Sequence, residues 1–575
     1  MGACFSAYDE YEADAARGNA LAAMLKIEGF DVIIICCGTA HQAAFWQARL
    51  ERGRGVVVPE EATILCVHED WEGGAGNGLG TLYAWTKAAN LAEKNGDADL
   101  AAKLASGDLS AALYHTAGKG TRLAPLPGAE NNNKPGVKLP ATAPIGIDQA
   151  QVPLTILESV VKSTGIFATS RKGRLSVFWG DQVFVPTKTY EYDAARAHAD
   201  ILCMLAPMPS ASEWKAKGLD KYGLVCVTKS GEACQIEKVD HATAKSMTRS
   251  LGSIAQVGTS LGSFSLTASL LSALLTEFGP ELKRKKGCVD SDPHWWMPMT
   301  LPLDAYVKMM GQKGTSAKDA TAHFKRIEKL LAGFDLRGAH LLGPVDVGGD
   351  AYWWDYGQLK LYLRNAVRLV EDGKEADSMR EFLSVKRGDK GLCGEAFGID
   401  AYSTASSCRI AKGVAKRSVL ANVNAISVEA EGAVLVNVTA TKITAGEGAI
   451  AYNVVEAGEL VLKPGEVVTD VFAEDGSKLR QRSTLETDGG TKWKVRQSGN
   501  KKTFEEVYKA NLSTNVIAAS KAGAAAHAAQ YVSSTEAAAK AKADAAAAEV
   551  ERREAEAAEA AEIVNTTLGC ARGSD

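Results

Sequence analysis

The sequence has no CxxC pair, only nine histidines and no apolar run longer than a strand. Its 11 cysteines follow no repeating spacing, and Cys36 and Cys37 are neighbours that cannot bridge each other. This excludes a disulfide framework and a zinc ribbon, and points to buried thiols in a reducing compartment. Runs such as Val32–Cys37 are far too short to cross a bilayer as a helix. There is no basic excess either: 65 Lys and Arg stand against 69 Asp and Glu, a net charge of −4. Nucleic acid is therefore not expected as the partner, and an anionic substrate would have to be met by local lysines and arginines. What is present is an ordinary balance, 46% hydrophobic and 23% charged over 575 residues, enough for a large core and more than one domain.

The opening residues show no cationic, apolar leader, so a cytoplasmic location is expected. Met1-Gly2-Ala3-Cys4-Phe5-Ser6 fits the N-myristoylation pattern. Acidic residues follow it, and one acyl chain binds membranes only marginally. Membrane attachment would come only from acylation of Gly2.

The pattern predicts a helix over 7–28, closed by Gly29, and buried strands at Val32–Cys37, 62–68, 113–115 and 175–179. A helical stretch from after Cys37 to about Arg52 and helices at 82–93 and 154–163 alternate with them, which predicts a doubly wound α/β sheet. A further helix is expected over 360–385. From residue 418 the chain turns rich in Val, Ile, Thr, Ala and Gly. Leu420, Ile426, Gly432 and Val438 suggest a six-residue repeat and a β-helix-like domain, with a β-sandwich as the alternative. The stretch after 516 is alanine-rich and laced with charge, which predicts a long, solvent-washed helical tail. The expected division is 1–29 N-terminal helix, 30–385 catalytic domain, 386–515 β-helix-like domain and 516–575 tail. Copies of the chain, if they associate, would do so through the C-terminal domain or the tail.

The strongest chemistry lies in 113–140, LYHTAGKGTRLAPLPGAENNNKPGVKLP. A short strand runs into Ala117-Gly118-Lys119-Gly120-Thr121-Arg122. The glycines let backbone N–H groups approach an oxyanion, Arg122 offers a fork of donors, and Lys134 and Lys138 add point charges. The GxxxxGK[ST] pattern is not met. At 174–181, RLSVFWGD, a buried strand ends in Gly180-Asp181 and delivers a carboxylate to the sheet edge where open α/β folds bind ligands. Asp355, in Trp353-Trp354-Asp355-Tyr356-Gly357, precedes a helical run and can cap it. The segment YGLVCVTKSGEACQIEKV, 222–239, reads as a hairpin turning at Ser230-Gly231. Upstream, Gly73-Gly74-Ala75-Gly76-Asn77-Gly78-Leu79-Gly80-Thr81 opens a helix.

Together these elements resemble the sugar-1-phosphate nucleotidyltransferase family, over roughly residues 30–370. The matching parts are the GxGTRLxPL…KP signature, the strand–Gly–Asp element, the W-x-D-x-G element and the YG…EK hairpin. Val239 replaces the family's proline after Lys238. The early position of the Gly76–Thr81 loop is similar to the order in fucose-1-phosphate guanylyltransferases. The resemblance implies a Rossmann-like, GT-A-type mixed sheet flanked by helices, and transfer of a nucleotidyl group from GTP or UTP to a sugar 1-phosphate. It implies Mg²⁺ on Asp181 and Asp355, with Arg122 and Lys134 or Lys138 on the departing pyrophosphate. Gly76, Gly78, Gly80, Thr81, Ala117, Gly118, Gly120, Thr121 and Gly180 would crowd the nucleotide. Gly223, Glu237 and Lys238 would hold the sugar phosphate. Gly76–Thr81 could instead form a second phosphate cradle. No kinase motif accompanies these. The alternative in another class is an inactive, NDP-sugar-binding regulatory or scaffold paralogue.

Overall fold

The computed structural model describes residues 7–96, 99–188 and 190–570; the Gly2 motif lies outside them. Helix α1 (Ala7–Leu25) leads into strand β1 (Val32–Cys37), helix α2 (Ala40–Arg52), β2 (Thr63–His68), α3 (Gly76–Lys94), β3 (Ala111–His115) and β4 (Arg174–Trp179). These four strands pair in parallel in the order β2-β1-β3-β4. Strand β1 is buried along its whole length. Its alternate residues serve opposite faces, because side chains in a strand point up and down in turn. Ile33, Ile35 and Cys37 join a core with α1 and α2, while Val32, Ile34 and Cys36 join a second core with α3. Ala20, Leu21 and Met24 of α1 belong to the first core, so this helix is part of the α/β body and not a separate unit.

Beyond β4 the sheet changes direction. Strands β6 (Ala197–Pro207), β7 (Gly223–Thr228), β8 (Ala233–Glu237) and β9 (Ile254–Thr267) follow β5 (Gln182–Val185) in the chain. Strand β9 pairs antiparallel with β4, β6 and β7, and β7 with β8; β10 (His340–Asp346) pairs parallel with β6. The result is a nine-stranded mixed sheet. Strand β5 leaves it and forms a separate antiparallel ribbon with β11 (Tyr352–Asp355). The helix expected over 360–385 is broken: Leu359–Arg368 and Lys374–Leu383 are separate, with Gly373 left-handed at φ 118° between them.

A second, mostly parallel sheet holds β12 (Val419–Glu431), β13 (Val434–Ala445) and β14 (Ile450–Leu462). Partners along it are offset by nearly the same step, Leu420 to Leu435 and Val438 to Val454. Parallel strands ordinarily need a crossover of a dozen residues or more, yet only Gly432 and Ala433 separate β12 from β13. Each strand must therefore bend and complete a coil of a stack by itself. The bend falls on its fourth residue, Asn422, Asn437 or Asn453, each left-handed at φ 52°, 56° and 54°. Asn422 Nδ2 donates to Asn437 Oδ1 at 2.7 Å and Asn437 Nδ2 to Asn453 Oδ1 at 2.6 Å. The six-residue period is thus wrong. Ile426 is only partly buried, and the repeat is the 15- or 16-residue step between these asparagines. A sandwich is excluded for this sheet by its parallel pairing.

The C-terminal helix (Val516–Cys570) is not solvent-washed at its start. Val516, Ala519 and Ser534 are buried, and His527 Nδ1 lies 2.8 Å from Thr439 Oγ1. Among the described residues no helix is long and apolar enough to cross a membrane.

Candidate active site

A cleft of about 600 Å³ opens at the carboxyl ends of β2, β3 and β4. This is the edge where open α/β sheets present backbone groups to ligands. Its lining includes Gly76, Ala117, Gly118, Arg122, Lys134, Gly180 and Asp181 from the expected set. Past His115 the chain is tied back by Thr116 N–H donating to Cys36 O at 3.0 Å. Gly118 then takes φ 133° and Gly120 φ 62°, both left-handed, which swings the loop over the strand ends. A Cβ on Gly118 would meet nothing within 4 Å, so its space is open to a ligand.

The short turn Lys134–Gly136 directs Lys134 into the cleft, where its ammonium pairs with the Asp181 carboxylate. Asp355 reaches the same place from a distant part of the sequence. The β5–β11 ribbon sets Asp355 opposite Gln182, and Tyr356 N–H donates to Asp181 O at 3.0 Å. Asp355 Oδ1 accepts from Gly357 N–H at 2.6 Å, and Asn365 Nδ2 donates to the Asp355 carbonyl at 2.8 Å. Burial raises the Asp355 carboxyl above its ordinary range. The Gly357 N–H opposes that rise, Asp181 adds to it, and Lys134 and Arg122 oppose it. Four of the expected site residues therefore share one electrostatic environment.

Other expected residues are placed elsewhere. Lys138 turns away from the cleft and pairs with Glu130, four residues from Lys134 but facing a different cavity. Of the two lysines, Lys134 lines the cleft and Lys138 does not. Gly78 N–H is already given to Val289 O at 2.8 Å, and a Cβ there would stand 3.1 Å from the Trp295 ring. Gly80 packs on Glu69 and His115. Thr81 is fully buried, with Oγ1 2.9 Å from His115 Nε2. These three support the wall of the cleft without lining it. Asn77 N–H is likewise capped by Asp290 Oδ1 at 3.0 Å, so Gly76–Thr81 does not form a second phosphate cradle. Gly120 packs on Pro127 and Lys134 and shares a small crevice with Trp493 and Phe504, while Gly489 packs against the Thr121 carbonyl, so both residues border the C-terminal half of the chain.

The hairpin forms as expected, with Glu237 opposite Gly223. Its residues are outside the cleft lining. The ring of Tyr222, which precedes Gly223, lies 6.2 Å from that of Trp353, two residues before Asp355. Glu237 is held by Lys313 and by Lys238, whose Nζ is 2.9 Å from Oε1. These lysines keep the Glu237 carboxyl below its usual range against the opposing effect of burial. Lys238 adopts φ 54° and Val239 is buried, with Trp214 Nε1 donating to its carbonyl at 3.1 Å.

Sequence reasoning missed Glu69, Asn77, His115, Pro135, Trp179 and Gln182, which also line the cleft. The available signal was position: Glu69 follows β2, and His115 and Trp179 end β3 and β4. Burial pulls the His115 imidazole down to about 4, so it is neutral at pH 7. Burial raises the Glu69 carboxyl, and the Ala75 N–H partly offsets this. No protein-family model matches the chain, and no curated protein matches it.

Two adjacent carboxylates are hard oxygen donors of the kind Mg²⁺ takes. No group of three or more His, Cys, Asp or Glu that could hold a metal occurs among the described residues. Phosphate and water oxygens would have to complete a six-coordinate shell, as is usual for this ion at phosphate sites. On this donor chemistry the residues fit.

Proposed function

We propose that the chain is a sugar-1-phosphate nucleotidyltransferase, forming an NDP-sugar and pyrophosphate from GTP or UTP and a sugar 1-phosphate, reversibly. The reading rests on one observation. Asp181 and Asp355, distant in sequence, lie beside Lys134 and Arg122 at the ligand edge of the parallel strands. It takes the mixed sheet as a Rossmann-like, GT-A-type domain and the stacked coils as a β-helix.

The sugar phosphate is a monoester whose second pKa is near 6, so it is largely dianionic at neutral pH and needs no general base. One of its oxygens forms a bond to the α-phosphorus while the α–β bridging bond breaks, and the bridging oxygen leaves with the electron pair as pyrophosphate. Positioning and charge neutralisation are what the protein supplies. Arg122 would hold the β- and γ-phosphate oxygens through its donor fork. Lys134, released from Asp181, would neutralise the leaving pyrophosphate. The N–H groups around Gly118 would approach the phosphates closely, and Gly76 and Trp179 would confine the nucleoside. Asp181 and Asp355 would hold Mg²⁺, which supplies charge stabilisation at the α-phosphate. Glu237 and Lys238 are proposed to meet the sugar phosphate at the far side of Tyr222.

The test is incubation of the full chain with Mg²⁺, pyrophosphate and a panel of NDP-sugars, with the NTP product identified. Release of GTP or UTP supports the reading. NDP-sugar binding with no NTP released overturns it in favour of a non-catalytic paralogue.

A further inference from the structure

A second cavity, of about 420 Å³, lies between α2, the 129–138 turn, the asparagine row and the C-terminal helix. That volume is within the range of small-molecule sites. Its lining carries three cations, Arg49, Lys138 and Arg409, against a single carboxylate, Glu130. Arg49 is neutralised from behind by Glu158 at 2.6 Å and Lys138 by Glu130. Arg409 forms no ion pair among the described residues, so the cavity keeps a positive surplus. His527 projects from the helix into the same space and is neutral, since burial holds it near 3.

Two acceptors on residues that line this cavity are unpaired. Asn131 is only 6% exposed, yet its Oδ1 is buried without a hydrogen-bond partner, and so is Asn424 Oδ1. Buried acceptors left unpaired are costly, and each calls for an account of what completes it. Both residues line the cavity. Unpaired acceptors call for hydroxyl donors, and surplus cations call for an anion.

We propose that this cavity binds a small sugar phosphate, its phosphate on Lys138 and Arg409 and its hydroxyls on the asparagine amides. The inference goes beyond the proposed reaction and does not need it. The site is connected to the cleft by a single turn of chain. Glu130 and Lys138 face the cavity, while Lys134 between them pairs with Asp181. A phosphate that draws Lys138 from Glu130 therefore acts on the segment that positions Lys134.

Isothermal titration of the full chain with glucose 6-phosphate tests this, with glucose and inorganic phosphate as controls. Saturable binding of glucose 6-phosphate is expected, tighter than that of inorganic phosphate and absent for glucose. Lys138→Gln should weaken it roughly tenfold. Ala528→Trp, which fills the cavity from the helix without touching a charge, should abolish it, with folding checked by circular dichroism. Arg122→Ala, in the cleft, should leave it within about twofold. The proposal is overturned by no binding below about 10 mM, by inorganic phosphate binding equally well, by loss of binding in Arg122→Ala, or by retention in both cavity variants. None of these readouts depends on turnover.

Discussion

Asp181 and Asp355 meet over Gly357: a Cβ added to that glycine would lie 2.9 Å from Asp355 Oδ1 and 3.3 Å from Asp181 Oδ2. The two carboxylates are thus near enough for one small side chain to crowd both. Gly357→Ala should displace them by a few tenths of an ångström and lower kcat between about ten- and a hundredfold, since small misplacements near reacting groups are expensive. Steady-state pyrophosphorolysis, with the melting temperature as a control for folding, checks this.

Asp181→Asn keeps the shape of the site and removes a charge. Pyrophosphorolysis should fall by roughly 10²–10³-fold while the fold is retained. Activity within a factor of two of the parent would exclude the metal-ligand assignment.

Lys134 and Lys138 can be told apart. Lys134→Met should lower kcat by roughly 10²-fold, whereas Lys138→Met, assayed without added sugar phosphate effectors, should cost less than about tenfold. Equal losses in the two variants would contradict the placement of Lys138 outside the cleft.

Asp292, half-buried beside Gly223 of the hairpin, offers a test through pH. Burial first, and the nearby Glu237 second, push its carboxyl up to about 6 from the ordinary 3.8. The folded state then holds a proton that the unfolded chain has lost. Between about pH 4 and pH 6 the folded form binds more protons, so its stability falls as pH rises and levels off above 6. Asp292→Asn should therefore be more stable than the parent above pH 6, by up to about 3 kcal/mol. The advantage should vanish below about pH 4, as read from urea unfolding at a series of pH values.

Gly78 is a packing glycine. Gly78→Ala would put a methyl 2.8 Å from Val289 O and against the Trp295 ring. A loss of about 1–3 kcal/mol in stability is expected, with little change in KM for the nucleotide among the molecules that stay folded.

The parts of the site that were legible in the sequence are those that a short stretch of chain builds alone. A strand running into Gly118, a strand ending at Asp181 and a hairpin turning at Ser230-Gly231 each carry their signal within a dozen residues. The closeness of Asp181 and Asp355 does not, because it depends on β5 pairing with a strand from much later in the chain. Lys134 and Lys138 look alike in sequence, and only the turn at Lys134–Gly136 sends one to the cleft and the other to Glu130. Gly78 and Gly80 read as ligand glycines because close approach to a phosphate and close approach to Trp295 or Glu69 demand the same missing Cβ. The coil repeat was hidden for another reason. The stack tolerates many small apolar residues, so its period is marked only by Asn422, Asn437 and Asn453.

Gly489 belongs to the C-terminal half of the chain, yet it packs against the carbonyl of Thr121 in the phosphate loop, and Tyr452 from the stacked coils accepts from Lys138 N–H at 2.8 Å. The two halves are therefore not modules that could be traded. A chain severed after residue 385 would keep every residue assigned to the chemistry and lose the surface against which the loop takes its shape. Inheritance of the loop and of its distant backing has to be joint, and a graft of either onto another scaffold would carry only half of the site.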